Sequence, residues 1–190
     1  AAAYNGTLYV CGGNNSGANT NLFHYAPIAA NGTVGGWTAG TALPEIRNAH
    51  ALVPRNGFLY LIGGDNATCR YAAINATGAI GLWTATSVLP EPILSYFGCF
   101  AYGSFLYTLG GQTSVGVTSN VYRAPFNPDG SLGIWTTTTT SLPIAVQNTA
   151  QVHDGILYAV TWGNPATTYF APINGDGTIV GVTTIGTLKG

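Results

Sequence analysis

Thr7-Leu-Tyr-Val-Cys-Gly-Gly13 is the stretch that decides the fold, because the chain repeats it. The motif is an apolar run with a central tyrosine, followed by two glycines. Further copies read Phe58-Leu-Tyr-Leu-Ile-Gly-Gly64, Phe105-Leu-Tyr-Thr-Leu-Gly-Gly111 and, more divergently, Ile156-Leu-Tyr-Ala-Val-Thr-Trp-Gly163. The four tyrosines are 51, 47 and 51 residues apart, a period typical of a supersecondary unit of several strands. Four repeats, approximately 1–48, 49–94, 95–147 and 148–190, therefore cover the chain as a single repeat region.

The composition predicts a globular protein with an uncharged polar surface. Of the 190 residues, 46% are hydrophobic and only 6% are charged, against roughly 25% charged residues in an ordinary domain. The net charge is −1 and the basic residues are scattered, so no basic patch is available to bind phosphates or anionic lipid. We therefore expect neither nucleic acid binding nor membrane insertion, and an extracellular or cell-surface location.

The cysteines and histidines indicate no metal site and no cofactor. Cys11, Cys69 and Cys99 are odd in number and lack metal-ligand spacing, so they are expected to be buried thiols, with one disulfide as an alternative. The three histidines occupy different places in the repeat and form no repeated ligand set. The chain contains no methionine and begins at Ala1 just before a strand, which suggests a portion of a longer protein.

Each repeat is predicted to contain four short strands. A tight turn precedes each copy of the tyrosine motif, as at Asn5-Gly6 and Asn56-Gly57, where Asn-Gly favours a two-residue hairpin. The third strand contains a proline in three repeats (Pro27, Pro125 and Pro172), so it should leave the sheet or form a bulge there. The double glycines are expected to need positive φ angles or close approach of a neighbouring strand.

A tryptophan stands at a fixed distance behind the third strand in three repeats. Trp37, Trp83 and Trp135 each lie five residues after a turn glycine, and Val182 takes the place in the fourth repeat. A large aromatic at a constant position is best explained by packing between neighbouring sheets. All three indoles are therefore expected to be buried at equivalent sites on the fourth strands.

Units with a double glycine after the second strand and a tryptophan on the fourth resemble the kelch repeat, and the resemblance covers the whole chain. It implies an all-β, kelch-like β-propeller of four four-stranded antiparallel blades. Kelch-like propellers usually have more than four blades, and an open array would expose apolar sheet faces. The chain is therefore expected to be part of a larger propeller or to be completed by another copy, with a self-closed four-bladed ring as the third alternative.

The long loops after the double glycines should lie at one end of the sheets, together with the segments that follow the fourth strands. Variable loops on a rigid scaffold are the usual location of binding sites. The candidate binding residues at this end are rich in amides, with an aromatic nearby, which suits sugar hydroxyls and apolar sugar faces. They are Asn14, Asn15, Asn19, Glu45, Arg47, Asp65, Asn66, Glu91, Tyr96, Gln112, Gln147, Asn148 and Asn164.

Replacing Glu45, Arg47, Asp65, Asn66, Gln112 or Asn148 is expected to weaken binding without changing the melting temperature. The leading interpretation is a noncatalytic binding module for a protein or a glycan. The resemblance leaves two alternatives: an enzyme domain of the kelch-like oxidase or sugar-isomerase type, completed by missing blades, or a structural repeat of a surface filament or adhesin. Convergent histidines or arginines, which those enzymes need, are absent from this sequence, so no catalytic residue is assigned.

Overall fold

The computed structural model describes residues 1–138, 140–143, 147–162 and 166–188, and it confirms that the protein is all-β. No helix that could span a membrane occurs in these ranges. The four-stranded antiparallel sheets follow one another along the chain, one in each repeat. Sheet 1 contains β1 (Ala2–Tyr4), β2 (Thr7–Cys11), β5 (Phe23–Pro27) and β6 (Thr38–Ala39), with a small hairpin of β3 (Asn14–Asn15) and β4 (Ala18–Asn19) between β2 and β5.

The other three sheets repeat this order. Sheet 2 contains β7 (Ala51–Arg55), β8 (Phe58–Ile62), β9 (Cys69–Ala73) and β10 (Thr84–Thr86). A short three-stranded sheet of β11 (Ile93–Ser95), β14 (Gln112–Thr113) and β15 (Gly116–Val117) lies beside the loops. Sheet 3 contains β12 (Gly98–Tyr102), β13 (Phe105–Leu109), β16 (Val121–Pro125) and β17 (Thr136–Thr137), and sheet 4 contains β18 (Asn148–His153), β19 (Ile156–Thr161), β20 (Ala166–Pro172) and β21 (Thr183–Leu188).

Two-residue turns join the first and second strands, as the sequence predicts. Asn5 and Gly6 have φ angles of 44° and 72°, and Asn56 and Gly57 have 49° and 79°, so both pairs meet the requirement of a type I′ turn. The predicted role of the prolines is also confirmed, because Pro27, Pro125 and Pro172 each form the last residue of a third strand.

The hydrophobic core lies between neighbouring sheets. Tyr9 and Phe23 of sheet 1 belong to the same buried cluster as Leu61 and Trp83 of the second repeat, and an equivalent cluster joins sheets 2 and 3. The first strand of each sheet contacts the first strand of the next. All four first strands line a common cavity of about 390 Å³.

The tryptophans behave as predicted at two of the three sites. Trp83 and Trp135 are 8% and 5% exposed, and each indole donates a hydrogen bond to the preceding repeat, to the carbonyls of Thr41 and Ser87. The prediction for Trp37 is wrong, since this side chain is 51% exposed. Trp83 and Trp135 pack on the preceding repeat, whereas no described sheet covers the equivalent side of sheet 1. The indoles also precede the fourth strands directly and do not form part of them.

The double glycines have both of the expected functions. Gly63 and Gly64 have φ angles of 58° and 78°. A Cβ atom on Gly64 would lie 2.3 Å from the carbonyl oxygen of Asn48 and 2.7 Å from the backbone of His50. Only glycine combines this backbone conformation with such a close approach. The glycines thus allow the segment after sheet 1 to cross the end of β8.

The three cysteines are free thiols. Cys11 and Cys69 are buried, and Cys99 is half-buried, which agrees with the expectation of small apolar side chains in the core.

Candidate functional site

The loops after the second strands meet the segments after the fourth strands at one end of the sheets, which we call the loop end. Backbone hydrogen bonds establish this: the amide of Gly13 donates to the carbonyl of Arg47, and that of Gly64 to the carbonyl of Ile93. In sheet 4 the amide of Trp162 donates to the carbonyl of Gln147. The described candidate residues therefore lie at the same end of the molecule.

An exposed amide network joins the loops of the first two repeats. The Asn48 side-chain amide donates to Asn19 Oδ1 at 2.8 Å, and its backbone amide donates to Asp65 Oδ2 at 3.0 Å. Asn14 also donates to Asn19, whereas Asn15 is exposed and accepts only a long hydrogen bond from Ser16. Most of these polar groups form hydrogen bonds with one another, and these bonds hold the loops in place.

Arg47 is buried, which contradicts the expectation that it is a surface residue of the loop end. Its side chain is fully excluded from solvent, and Nη1 donates to the carbonyls of Gly63 and Thr68 at 2.8 and 3.0 Å. Nη2 forms an ion pair with Glu45, which also accepts a hydrogen bond from Arg70 Nε at 3.2 Å. Burial tends to raise the pKa of Glu45, but the positive charges of Arg47 and Arg70 outweigh it and lower the pKa.

The neighbours of Arg47 explain why a charged residue is placed in the interior. A buried guanidinium needs acceptors on several sides, and here two backbone carbonyls and a carboxylate provide them. The structure therefore contradicts the premise that Arg47 is exposed, and we expect its replacement to lower stability. We infer that this group joins the first two repeats and takes no part in binding a ligand.

Two further candidate residues also have structural partners. Asn66 Oδ1 accepts a hydrogen bond from the amide of Thr68 at 2.8 Å. Glu91 Oε1 accepts hydrogen bonds from the Tyr122 hydroxyl at 2.8 Å and from Asn120 Nδ2 at 3.0 Å. Both side chains fix loop conformations, in the way that Asn and carboxylate groups often do near turns.

The feature of the loop end with the fewest internal partners is an aromatic pair. Tyr96 and Trp162 are 53% and 70% exposed, and their rings pack edge to face with centroids 5.4 Å apart. Tyr96 has a φ angle of 56°, which is unusual for a bulky residue and often marks a functional position. The carbonyl of Tyr96 accepts a hydrogen bond from the amide of Asn148 at 2.8 Å, which anchors the strained residue to sheet 4.

The aromatic pair borders a cavity of about 280 Å³ whose described lining contains no carboxylate, histidine, lysine or arginine. Besides Tyr96 and Trp162 the lining residues are Gln147, Asn148, Thr149, Val160 and Thr161. The volume lies near the lower end of the roughly 300–1,000 Å³ typical of small-molecule sites. Amide and hydroxyl groups can both donate and accept hydrogen bonds. The cavity therefore suits a small, neutral, polyhydroxylated group with an apolar face.

Besides Tyr96, the candidate residues Gln147 and Asn148 line this cavity, but they are not equally accessible. Gln147 Nε2 donates a long hydrogen bond of 3.4 Å to Gln112 Oε1. Asn148 is only 8% exposed and donates to the carbonyl of Leu109 at 2.9 Å, so it is not an accessible loop residue, and we expect its replacement to lower stability. Asn164 lies outside the described residues.

Sequence reasoning missed Trp162 as a site residue. The sequence showed only that Thr161-Trp162-Gly163 replaces the double glycine of the other repeats. Trp162 is a large aromatic at a place where the other repeats have a small residue, which indicates that this position has a different function in the fourth repeat. Its partner Tyr96, however, lies in a different repeat. The pairing could therefore not be read from sequence spacing.

A cysteine and a histidine also lie together at the loop end. Cys11 Sγ is 3.3 Å from His50 Nε2. Burial raises the pKa of the Cys11 thiol to about 12 and lowers the pKa of His50 to about 4, with the positive charge of Arg47 adding to the effect on His50 and Asp65 opposing it. A reactive cysteine needs a lowered pKa, so this pair consists of a neutral thiol and a neutral imidazole at neutral pH.

The pKa of His50 predicts a loss of stability in mild acid. The unfolded chain takes up a proton near pH 6.5, whereas the folded protein resists protonation until about pH 4. Stability is therefore complete above pH 6.5 and falls as the pH decreases through this window, by on the order of 2–3 kcal/mol for one such group. Urea titrations between pH 7 and 4 should show a smaller fall for His50→Gln, and an identical fall in both proteins would contradict this assignment.

Among the described residues, no three His, Cys, Asp or Glu side chains lie close enough together to hold a metal ion. No protein-family model matches this chain, and no curated protein matches it.

Proposed function

We propose that the chain is a noncatalytic, extracellular or cell-surface binding module that recognises a neutral glycan at its loop end. The observation that carries the proposal is the exposed pair of Tyr96 and Trp162 beside the cavity with Gln147. Aromatic rings offer an apolar face for the C–H groups of a sugar ring, and amides offer both donors and acceptors for its hydroxyls.

We further propose that the scaffold is a set of kelch-like propeller blades. Several features support it: consecutive four-stranded antiparallel sheets, first strands around a common cavity, and cores between neighbouring sheets. In β-propellers the blades are arranged radially about a central channel and bury their faces on one another. Such a scaffold holds loops rigidly at one end, which favours recognition with little conformational cost.

The described lining of the cavity has no carboxylate, histidine, lysine or arginine, which favours binding over catalysis and a neutral ligand over a charged one. General acid–base chemistry needs a titratable side chain within hydrogen-bond reach of the substrate. Glu45 forms ion pairs with Arg47 and Arg70 elsewhere at the loop end. The Cys11 thiol is not activated, because burial raises its pKa. The small number of charges in the whole chain agrees with a surface that works outside the cell.

Glycan-array screening of the protein tests the proposal, followed by titration of the best oligosaccharide with Trp162→Ala. Truncation of an aromatic anchor commonly costs about 2 kcal/mol or more, which corresponds to binding weakened by roughly 30-fold. The melting temperature should change little, because the indole is 70% exposed.

Val115→Ala provides the matched control, since this side chain is 92% exposed and does not line the cavity. It should bind the same oligosaccharide with wild-type affinity. The proposal is wrong if no glycan binds, or if Trp162→Ala binds as tightly as the control.

A further inference from the structure

Neighbouring sheets are joined by the same set of contacts. The Tyr60 hydroxyl of sheet 2 donates to the carbonyl of Gly130 at 2.9 Å, and the Tyr107 hydroxyl of sheet 3 donates to the carbonyl of Gly177 at 2.8 Å. Each acceptor lies in the turn that follows the third strand of the next sheet. In both cases the tyrosine hydroxyl of one sheet binds the turn glycine of the following sheet.

The residue two positions before each tyrosine packs on the same glycine. A Cβ atom on Gly130 would lie 2.4 Å from the Phe58 ring, and one on Gly177 would lie 2.6 Å from the Phe105 ring. Between sheets 1 and 2, Thr7 makes this contact with Gly78. The tryptophans bind in the opposite direction, from the later repeat to a carbonyl of the earlier one. Each interface therefore has a tyrosine side and a side that contains the turn glycine together with Trp83, Trp135 or, in the fourth repeat, Val182.

Sheet 1 exposes the glycine and tryptophan side of this interface. Gly32 takes the place of the buried glycines Gly78, Gly130 and Gly177, but it is exposed and a Cβ atom there would contact nothing. Val34 is 44% exposed, whereas its equivalents Ile80, Leu132 and Ile179 are at most 8% exposed. Trp37 is 51% exposed, in contrast to Trp83 and Trp135.

Sheet 4 exposes the complementary tyrosine side. Tyr158 is 38% exposed, whereas Tyr9, Tyr60 and Tyr107 are at most 1% exposed. Ile185 on the outer strand of this sheet is 55% exposed. Sheet 1 thus exposes one half of the repeated interface, and sheet 4 exposes the other half.

We propose that sheet 4 of one copy of the chain docks on sheet 1 of a second copy and reproduces the internal interface. The internal spacing assigns the contacts: the Tyr158 hydroxyl of one copy binds the carbonyl of Gly32 in the other. The Trp37 indole of the second copy binds the carbonyl of Gly186 in the first. Gly186 is the equivalent of the internal acceptors Thr41 and Ser87, because each of the three lies four residues after the tryptophan position of its own repeat (Trp37, Trp83 and Val182). This contact is heterologous, so copies assemble head to tail into a closed ring or a filament.

The docking partner is a second copy of the chain, because the exposed surfaces of sheets 1 and 4 are the two halves of an interface that neighbouring sheets already form within the protein. At the internal interfaces the equivalent residues are buried, and Tyr60, Tyr107, Trp83 and Trp135 each donate a hydrogen bond to a carbonyl of the neighbouring repeat. The proposal does not depend on the glycan site, since Tyr158 and Trp37 do not line that cavity.

Sedimentation equilibrium of the 190-residue chain, with Trp37→Glu, Tyr158→Glu and their mixture, tests the proposal. At roughly 100 μM an association with a Kd of about 10 μM is mostly assembled, so the wild-type chain should sediment as a dimer or a larger species. Each variant alone should be monomeric, with association at least tenfold weaker. An equimolar mixture should form a 1:1 dimer and nothing larger, because only one intact pair of surfaces remains.

Val115→Glu is the control, because it adds the same charge at an exposed apolar residue of the loop end and should assemble like the wild type. Circular dichroism melting of each variant establishes that it is folded, with Trp37→Ala and Tyr158→Ala as milder replacements if either fails to fold. A monomeric wild-type chain overturns the proposal, as does a variant that remains assembled or a mixture that remains monomeric.

Discussion

Replacing Trp83 with alanine is expected to lower the free energy of unfolding by about 3–5 kcal/mol, the usual cost of truncating a buried aromatic. The indole is 8% exposed, packs edge to face on Phe23 with centroids 5.9 Å apart, and donates to the carbonyl of Thr41 at 3.1 Å. Its removal leaves a cavity between two repeats and an unpaired carbonyl. Urea titration followed by circular dichroism measures the change.

Trp37→Ala is the matched control, because the same residue type stands at the same place in the repeat but is half exposed. In dilute solution, where the copies are dissociated, this variant should lie within roughly 1 kcal/mol of the wild type. Equal losses for the two variants would show that burial between sheets does not distinguish the two sites.

Replacing Arg47 with methionine is expected to destabilise the protein by about 2–4 kcal/mol, because two carbonyls lose their donors and each buried polar group left unpaired typically costs about 1–3 kcal/mol. The carbonyls of Gly63 and Thr68 lose their donors, and Glu45 loses its closest positive charge. The pKa of Glu45 is then less lowered, so the difference between its folded and unfolded pKa becomes smaller and the variant should lose less additional stability than the wild type as the pH falls below about 4.5. Chemical denaturation at several pH values measures both effects.

Arg47→Lys separates the charge from the geometry. Lysine keeps the positive charge but cannot reach two carbonyls and a carboxylate at once in the planar arrangement of a guanidinium. It should therefore recover only part of the lost stability. Full recovery would contradict the importance of the multiple hydrogen bonds, and a stable Arg47→Met variant would contradict the importance of the network.

The candidate site could be predicted only in part. Sequence reasoning identified the loop end, because strand alternation brings the loops after the second strands beside the segments after the fourth strands. It also selected Tyr96 and Gln147, which border the cavity. It included Arg47 and Asn148 among the accessible residues, however, and it omitted Trp162. Side-chain burial and the pairing of residues from different repeats depend on nonlocal packing, which sequence spacing does not encode.

The sequence by itself determined the repeat, the order of the strands and the positions of the tight turns. These features follow from local chemistry: apolar runs bounded by Asn-Gly pairs, glycines with positive φ angles and prolines that end a strand. Only the tertiary structure decided which copy of a repeated residue is buried. Trp37 and Trp83 have equivalent places in the repeat, as do Tyr158 and Tyr107. Their exposure differs because a neighbouring sheet covers Trp83 and Tyr107, whereas no described sheet covers Trp37 or Tyr158.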